Sequence, residues 1–170
     1  MSFATCDLCD DNHDAVMRGD IRVLEPGLVS YGGRNASSGR VITLKLFEDN
    51  TLVRSEVEQP GESQILIIDG GGSRRCALLG GNLAVEAAKN GWAGVFVSGC
   101  VRDVDEIRGC NVDVRGLATC PVKSVKKGQG ERNVPVKVQG VLVCPGDWCY
   151  ADNDGIILSA TPLVPHGSRQ

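Results

Sequence analysis

Aromatic side chains are scarce here: two Trp, two Tyr and three Phe in 170 residues leave no platform on which nucleic-acid bases could stack. Neither sign of charge dominates. Twenty-one acidic against eighteen basic residues give a net charge of −3 and no electrostatic footprint for nucleic acid. The one basic cluster, Lys123, Lys126 and Lys127, reads as a solvated face. Histidine is almost missing, and His13 and His166 lie in polar segments where neither reads as a base or a metal ligand. No apolar run approaches the roughly 18 residues of a membrane span. Cys6, Asp7, Asp10, Asp11, His13 and Asp14 also interrupt any apolar segment after Met1, so no signal peptide is read. A cytoplasmic location is expected, where thiols stay reduced.

What is present describes an ordinary globular chain, 42% hydrophobic and 23% charged, with enough length for one domain and a real core. Residues 1–162 are expected to form that single domain and 163–170 a flexible tail. The eight cysteines invite a metal reading, and Cys6-x-x-Cys9 has the spacing of zinc ligands. The others sit singly or, for Cys144 and Cys149, with four residues between them, and cysteine often serves as a small buried hydrophobe.

Pattern reading predicts a polar helix over 5–18 with Thr5 as its cap, a strand over Val41–Phe47 and a short helix over Thr51–Glu58. Gln64–Asp69 is a continuous apolar run feeding the turn Gly70-Gly71-Gly72, as a strand buried on both faces would. Leu79–Asn90 has helical spacing and stops at Asn90-Gly91; Trp92–Ser98 is a second buried strand, with a loop from Gly99. Strand, helix and strand with short links make a right-handed βαβ unit with a parallel pair. Short β segments follow at Val112–Val114, Pro135–Val138, Val141–Val143 and Ile156–Leu158. The expected fold is α/β: a single domain with a mixed, partly parallel sheet and a β-rich C-terminal half.

Ligands of parallel sheets gather outside the carboxyl ends of the strands. Two such ends, Asp69–Gly72 and Gly99–Asp103, are expected on one rim. Gly80 and Gly81 open the following helix without Cβ atoms, so a ligand could approach its unpaired N–H groups, those of Asn82 and Leu83 included. Arg102 offers a fork for a carboxylate and Asp103 a hard oxygen for a divalent cation. The combination describes a small keto acid held on a metal. Both side chains can serve one ligand only if the backbone turns there, because neighbours in an extended strand point to opposite faces. Asp69 reads equally well as a support for metal-bound water or as a loop cap.

From Cys6 to Pro162 the chain resembles the RraA-like family. The resemblance rests on Val29-Ser30-Tyr31-Gly32-Gly33-Arg34, Leu46-Phe47-Glu48-Asp49-Asn50, Ile68-Asp69-Gly70-Gly71-Gly72-Ser73-Arg74-Arg75 and the segment Tyr150–Ser159. That family groups 4-hydroxy-4-methyl-2-oxoglutarate aldolases, oxaloacetate decarboxylases and bacterial regulators of ribonuclease E activity. It implies a swivelling β/β/α-type domain assembled as homotrimers or pairs of trimers. The aldolase branch carries a Gly, twenty residues, Arg-Asp, two residues, then an acid, and Gly81, Arg102, Asp103 and Glu106 match that pattern in full.

By resemblance, Arg102 grips the pyruvyl carboxylate, Asp103 ligates Mg²⁺ or Mn²⁺, and N–H groups around Asn82 and Leu83 help hold the carboxylate. Glu106 is read as standing behind the metal, as Asp69 does if it supports metal-bound water. The implied activity is metal-dependent cleavage of short 2-oxo acids to pyruvate, with a metal-held water as the expected base. A Schiff-base lysine is disfavoured because no Lys lies in either rim segment. The alternative is a non-catalytic regulator that binds a ribonuclease E-type partner; the best-known regulators lack an Asp at the position of Asp103, which is retained here.

Overall fold

The run Ile65–Ile68 is apolar at every position because both faces of its strand are covered. In the computed structural model, which describes residues 2–164, Leu66 and Ile68 pack into one core cluster. Ile65 and Ile67 pack into a second on the other face of the sheet. That alternation is the period of two that a strand imposes.

The chain begins with helices α1 (Thr5–Asp11) and α2 (His13–Arg18), then strands β1 (Ile21–Val23), β2 (Val29–Ser30) and β3 (Ser37–Lys45). Helix α3 (Thr51–Val57), strands β4 (Ile65–Asp69) and β5 (Ala77–Leu79), helix α4 (Gly81–Lys89) and strand β6 (Gly94–Val101) form the centre. Helix α5 (Val104–Ile107) is followed by strands β7 (Asp113–Thr119), β8 (Glu131–Arg132), β9 (Val136–Val138), β10 (Val141–Val143), β11 (Trp148–Ala151) and β12 (Ile156–Ser159). The main sheet runs β1-β12-β11-β3-β4-β6-β7-β2, with β5 added against β6 and β8 against β3. Its middle, β3-β4-β6-β7 and β5-β6, is parallel, and its flanks are antiparallel.

Three layers result. Helices α3 and α4 cover one face through Val53, Val57, Leu83, Ala84 and Ala87. The β9–β10 hairpin contributes Val136, Val138 and Val143 to the core on the other face, against Ile67 and Phe96. A smaller cluster of Leu8, Ile21, Tyr150 and Ile157 seats the N-terminal helices on the antiparallel flank.

The mixed sheet and the strand-rich second half are those expected, with several differences. The helix over 5–18 breaks at Asn12, and Thr5 does not cap it: its N–H and hydroxyl both donate to Asp152, at 2.7 and 2.6 Å. Gly99 does not begin a loop. Strand β6 continues through it to Val101, with a register irregularity between Val97 and Cys100. Strand β5 is too short and too close to α4 for periodicity to separate the two. Leu163 is tied down, its N–H donating to the Tyr150 hydroxyl at 2.7 Å; the rest of the expected tail, from residue 165, lies outside the described residues.

Candidate active site

The site is built where β5 and β6 end side by side. Ala77 pairs with Cys100 and Leu79 with Val101, and the Arg102 N–H continues the ladder to the Leu79 carbonyl at 3.0 Å. Gly80 therefore lies beside Arg102, although α4 and an eight-residue strand separate them in sequence. A Cβ on Gly80 would sit 2.9 Å from Asp103 Oδ2 and 3.5 Å from Arg102 Cγ. Only a residue without a side chain lets these segments approach so closely.

The turn that brings Arg102 and Asp103 to one side is a single left-handed residue. Asp103 has φ 59° and ψ 43°, a conformation that Asp tolerates better than most residues at a cost of about 1 kcal/mol. From there its carboxylate reaches back to α4, Oδ2 accepting the Gly81 N–H at 3.0 Å. Its other oxygen, Oδ1, accepts no hydrogen bond among the described residues. Arg102 is likewise little committed: Nε lies 4.0 Å from Asp103 Oδ2, and the guanidinium makes one long bond, 3.4 Å, to the Pro121 carbonyl. Glu106, one turn into α5, lies against Gly81 so closely that a Cβ there would overlap its carboxylate. Gly81, Arg102, Asp103 and Glu106 are thus one contact cluster.

Helix α4 starts with Gly80 in an extended conformation and no side-chain cap. Ala84 N–H closes the first turn on Gly80. The N–H groups of Asn82 and Leu83 have no acceptor among the described residues, and both residues line the cleft with Arg102 and Asp103. The cleft is small and polar, about 60 Å³. An anion there would meet two free amides, the positive end of α4 and the Arg102 fork.

Asp69 is not part of this cleft. It pairs with Ser98, four residues before Arg102 and so roughly 13 Å away along the strand. Its Oδ1 accepts the Gly71 N–H at 2.9 Å, and it lines a separate groove with Lys45 and Phe47. Asp69 is a loop cap here. The two strand ends read as one rim are staggered, because β5 takes over the edge that β4 leaves.

Lys123 and Lys126 are exposed, as a solvated face would be, and they also line the cleft with Ser124, Asn50 and Arg54. Their segment is strapped down where Ala77 N–H donates to the Val122 carbonyl, Val125 N–H to Glu48 and Lys127 N–H to Asp49. Lysines are therefore present at the site, and their absence from the two rim segments does not argue against a Schiff base. Asp49 is 1% exposed. Burial opposes its charge, but bonds from the Thr51 hydroxyl and the N–H groups of Thr51, Gln129 and Lys127 outweigh it and hold the carboxyl at about 2. It ties the start of α3 to the lysine segment.

Sequence reasoning missed Arg54, Lys123, Ser124 and Lys126 because a loop from beyond β7 delivers three of them. Asn50 was visible only as part of a family string.

Among the described residues lining the cleft, Asp103 is the one carboxylate that a divalent ion would find, through Oδ1. Among the described residues no group of three His, Cys, Asp or Glu could hold a metal. A single carboxylate suits Mg²⁺, which keeps several waters and is completed by substrate oxygens. A structural zinc site would need four ligands. Among the described residues no helix is long and apolar enough to cross a membrane.

A protein of Arabidopsis thaliana named "Putative 4-hydroxy-4-methyl-2-oxoglutarate aldolase 3" is 55% identical over 95% of this chain and 98% of its own length. The solved structure of the RNA-processing inhibitor RraA from Thermus thermophilis superposes with a TM-score of 0.89 at 47% identity, covering 100% of this chain and 99% of the other. A Geobacillus kaustophilus structure described as an S-adenosylmethionine:2-dimethylmenaquinone methyltransferase gives 0.88 at 44%, covering 95% and 97%. One fold thus carries three activity names, and the site has to discriminate among them. Residues 5–158 match the model of the RraA-like family, Aldolase/RraA, and the chain belongs to that family.

Proposed function

We propose that this protein is a divalent-metal-dependent aldolase and decarboxylase that cleaves short 2-oxo acids, 4-hydroxy-4-methyl-2-oxoglutarate and oxaloacetate among them, to pyruvate. The observation that carries the reading is the unpartnered Oδ1 of Asp103 beside the loosely held Arg102 guanidinium, at the open N-terminus of α4.

Aldol cleavage removes the proton of the 4-hydroxyl and breaks the C3–C4 bond. C4 leaves as a carbonyl and its electrons pass to C3 and the 2-oxo oxygen, giving the enolate of pyruvate, which takes a proton at C3. Oxaloacetate loses CO₂ to the same enolate. Bound Mg²⁺ or Mn²⁺ would act as a Lewis acid toward the 2-oxo group, lowering the energy of that developing charge. Asp103 would hold the ion. Arg102 binds the C1 carboxylate with a bidentate fork and so fixes which bond breaks. The N–H groups of Asn82 and Leu83 take the same carboxylate where the α4 dipole favours a negative charge. Glu106 keeps the first turn of α4 and the Asp103 turn in register through Gly81.

Pyruvate release from each substrate, with Mg²⁺ and with chelator, tests this. Turnover that disappears with chelator and in Asp103→Ala supports the reading; no turnover above the metal-only background ends it. Lys123 and Lys126 make a Schiff-base route testable too. Borohydride in the presence of pyruvate traps no covalent adduct on this reading, and a trapped adduct with chelator-resistant turnover would replace it.

The near-full-length likeness to an RNA-processing inhibitor favours a second reading, a regulator that binds a ribonuclease E-type enzyme without chemistry. Capture of such an enzyme, equally by wild type and by Asp103→Ala, would support it. A homotrimer or hexamer is proposed on either reading, and native mass measurement distinguishes these from a monomer.

A further inference from the structure

Three thiols that the proposed reaction does not use gather beside the cleft. Cys100 lies in β6 with none of its surface exposed, and the buried Cys76 stands immediately before β5. Cys120, one residue past β7, is partly exposed. Strand pairing brings them together: Cys100 has Ala77 opposite it on one side of β6 and Ala118 on the other. The Cys120 N–H extends the second ladder to the Val101 carbonyl at 3.0 Å. The chain then crosses to β5, where the Val122 carbonyl accepts the Ala77 N–H at 2.7 Å. Cys120 therefore begins the strap that carries Lys123 and Ser124 to the cleft. The thiols influence one another. Burial and then Cys120 raise the Cys100 thiol; burial, Glu48, Cys120 and Cys100, in that order, raise that of Cys76.

Distance decides what such a pair can do. Because Cys100 pairs with Ala118, Cys120 lies one strand across and two residues along. That offset puts the two Cα atoms about 8 Å apart. A disulfide needs at most about 6.8 Å. Both thiols are free, and an approach of about 1 Å would bring them within range. Cys100 is locked in the middle of the sheet, so the strap has to move. Its next two residues are those that hold the cleft wall: the Pro121 carbonyl accepts from Arg102 at 3.4 Å, and the Val122 carbonyl accepts from Ala77.

We infer that Cys120 and Cys100 are a peroxide-responsive thiol pair whose reversible disulfide pulls the strap off Ala77 and Arg102 and lowers turnover in the cleft. The Cys120 thiolate attacks one oxygen of hydrogen peroxide; the O–O bond breaks, the other oxygen leaves with a proton as water, and Cys120 becomes a sulfenic acid. The Cys100 thiolate then attacks that sulfur and expels hydroxide, which leaves as water with the proton Cys100 gave up. Two thiols lose two electrons, and one peroxide becomes two waters. A dithiol reductant reverses the bond. The effect on turnover rests on the cleft being a pyruvate-releasing centre; formation of the bond does not.

The test treats the native protein with hydrogen peroxide, blocks remaining thiols by alkylation and maps unreduced peptides by mass. A Cys100–Cys120 bridge, absent from Cys120→Ser and Cys100→Ala, is expected. Pyruvate release by the oxidised wild type should fall about tenfold or more, as an ångström of misplacement allows, and return with dithiothreitol. Cys120→Ser should keep its turnover through the same treatment. A readout free of turnover is amide exchange at Ala77, which should speed up in the oxidised wild type because its acceptor moves away. Cys120 left as a thiol, oxidised without a bridge, or bonded to Cys76 overturns the inference. So does a Cys100–Cys120 bridge that leaves Ala77 exchange unchanged. Absence of pyruvate release from the reduced protein counts against the proposed function alone, since the bridge and the exchange are still read.

Discussion

Asp103 carries two duties that different substitutions separate. Its Oδ2 accepts the Gly81 N–H, and its Oδ1 has no partner among the described residues. Asn keeps an acceptor and tolerates the left-handed backbone but removes the charge. Asp103→Asn should therefore melt within a few degrees of wild type while pyruvate release falls at least about 100-fold, since a metal site supplies several kcal/mol of transition-state stabilisation. Arg102→Lys keeps charge and loses the planar fork, so KM should rise about tenfold with folding unaffected. The cluster of Gly81, Arg102, Asp103 and Glu106 was legible in the sequence because family spacing fixed it. Asp69 misled because its place at a strand end said nothing about which strand runs further.

At the scale of elements, the knot around Asp49 joins the start of α3 to the lysine segment. Its folded carboxyl ionises at about 2, against an ordinary 3.8. A depressed folded value contributes stability above the ordinary value, and that contribution fades as pH falls toward 2. It is about 2 kcal/mol. Asp49→Asn should thus lower the melting temperature at pH 7 and flatten the loss of stability between pH 4 and pH 2, followed by thermal melts across that range. The long buried elements were readable: Ile65–Asp69 and Gly81–Lys89 fall inside the expected segments. Strand β5 was not, since three residues show no periodicity. Nor were the cleft-lining residues Lys123 and Lys126, whose role depends on long-range straps that no local pattern records.

Over the whole molecule, two cores share one sheet, and β4 feeds both. Ile67→Ala empties a fully buried place between the sheet and the β9–β10 hairpin and should cost about 2–5 kcal/mol, read by denaturant unfolding. The eight thiols are free, and four of them are buried. Burial pushes the Cys149 thiol far above its ordinary range, whereas Cys6 is exposed, its thiol raised chiefly by nearby Asp154. A thiol reagent should label Cys6 in the native protein and reach Cys149 only on unfolding. Layer order and sheet type followed from hydrophobic pattern and family likeness, while the stagger of the strand ends needed three dimensions.

The most direct test is a Mn²⁺ titration followed by water-proton relaxation, with and without pyruvate, on wild type and Asp103→Asn. Wild type should bind Mn²⁺ more tightly when pyruvate is present, and Asp103→Asn should lose both the binding and the enhancement. Unchanged Mn²⁺ affinity in Asp103→Asn, or no effect of pyruvate on the wild type, would contradict the account.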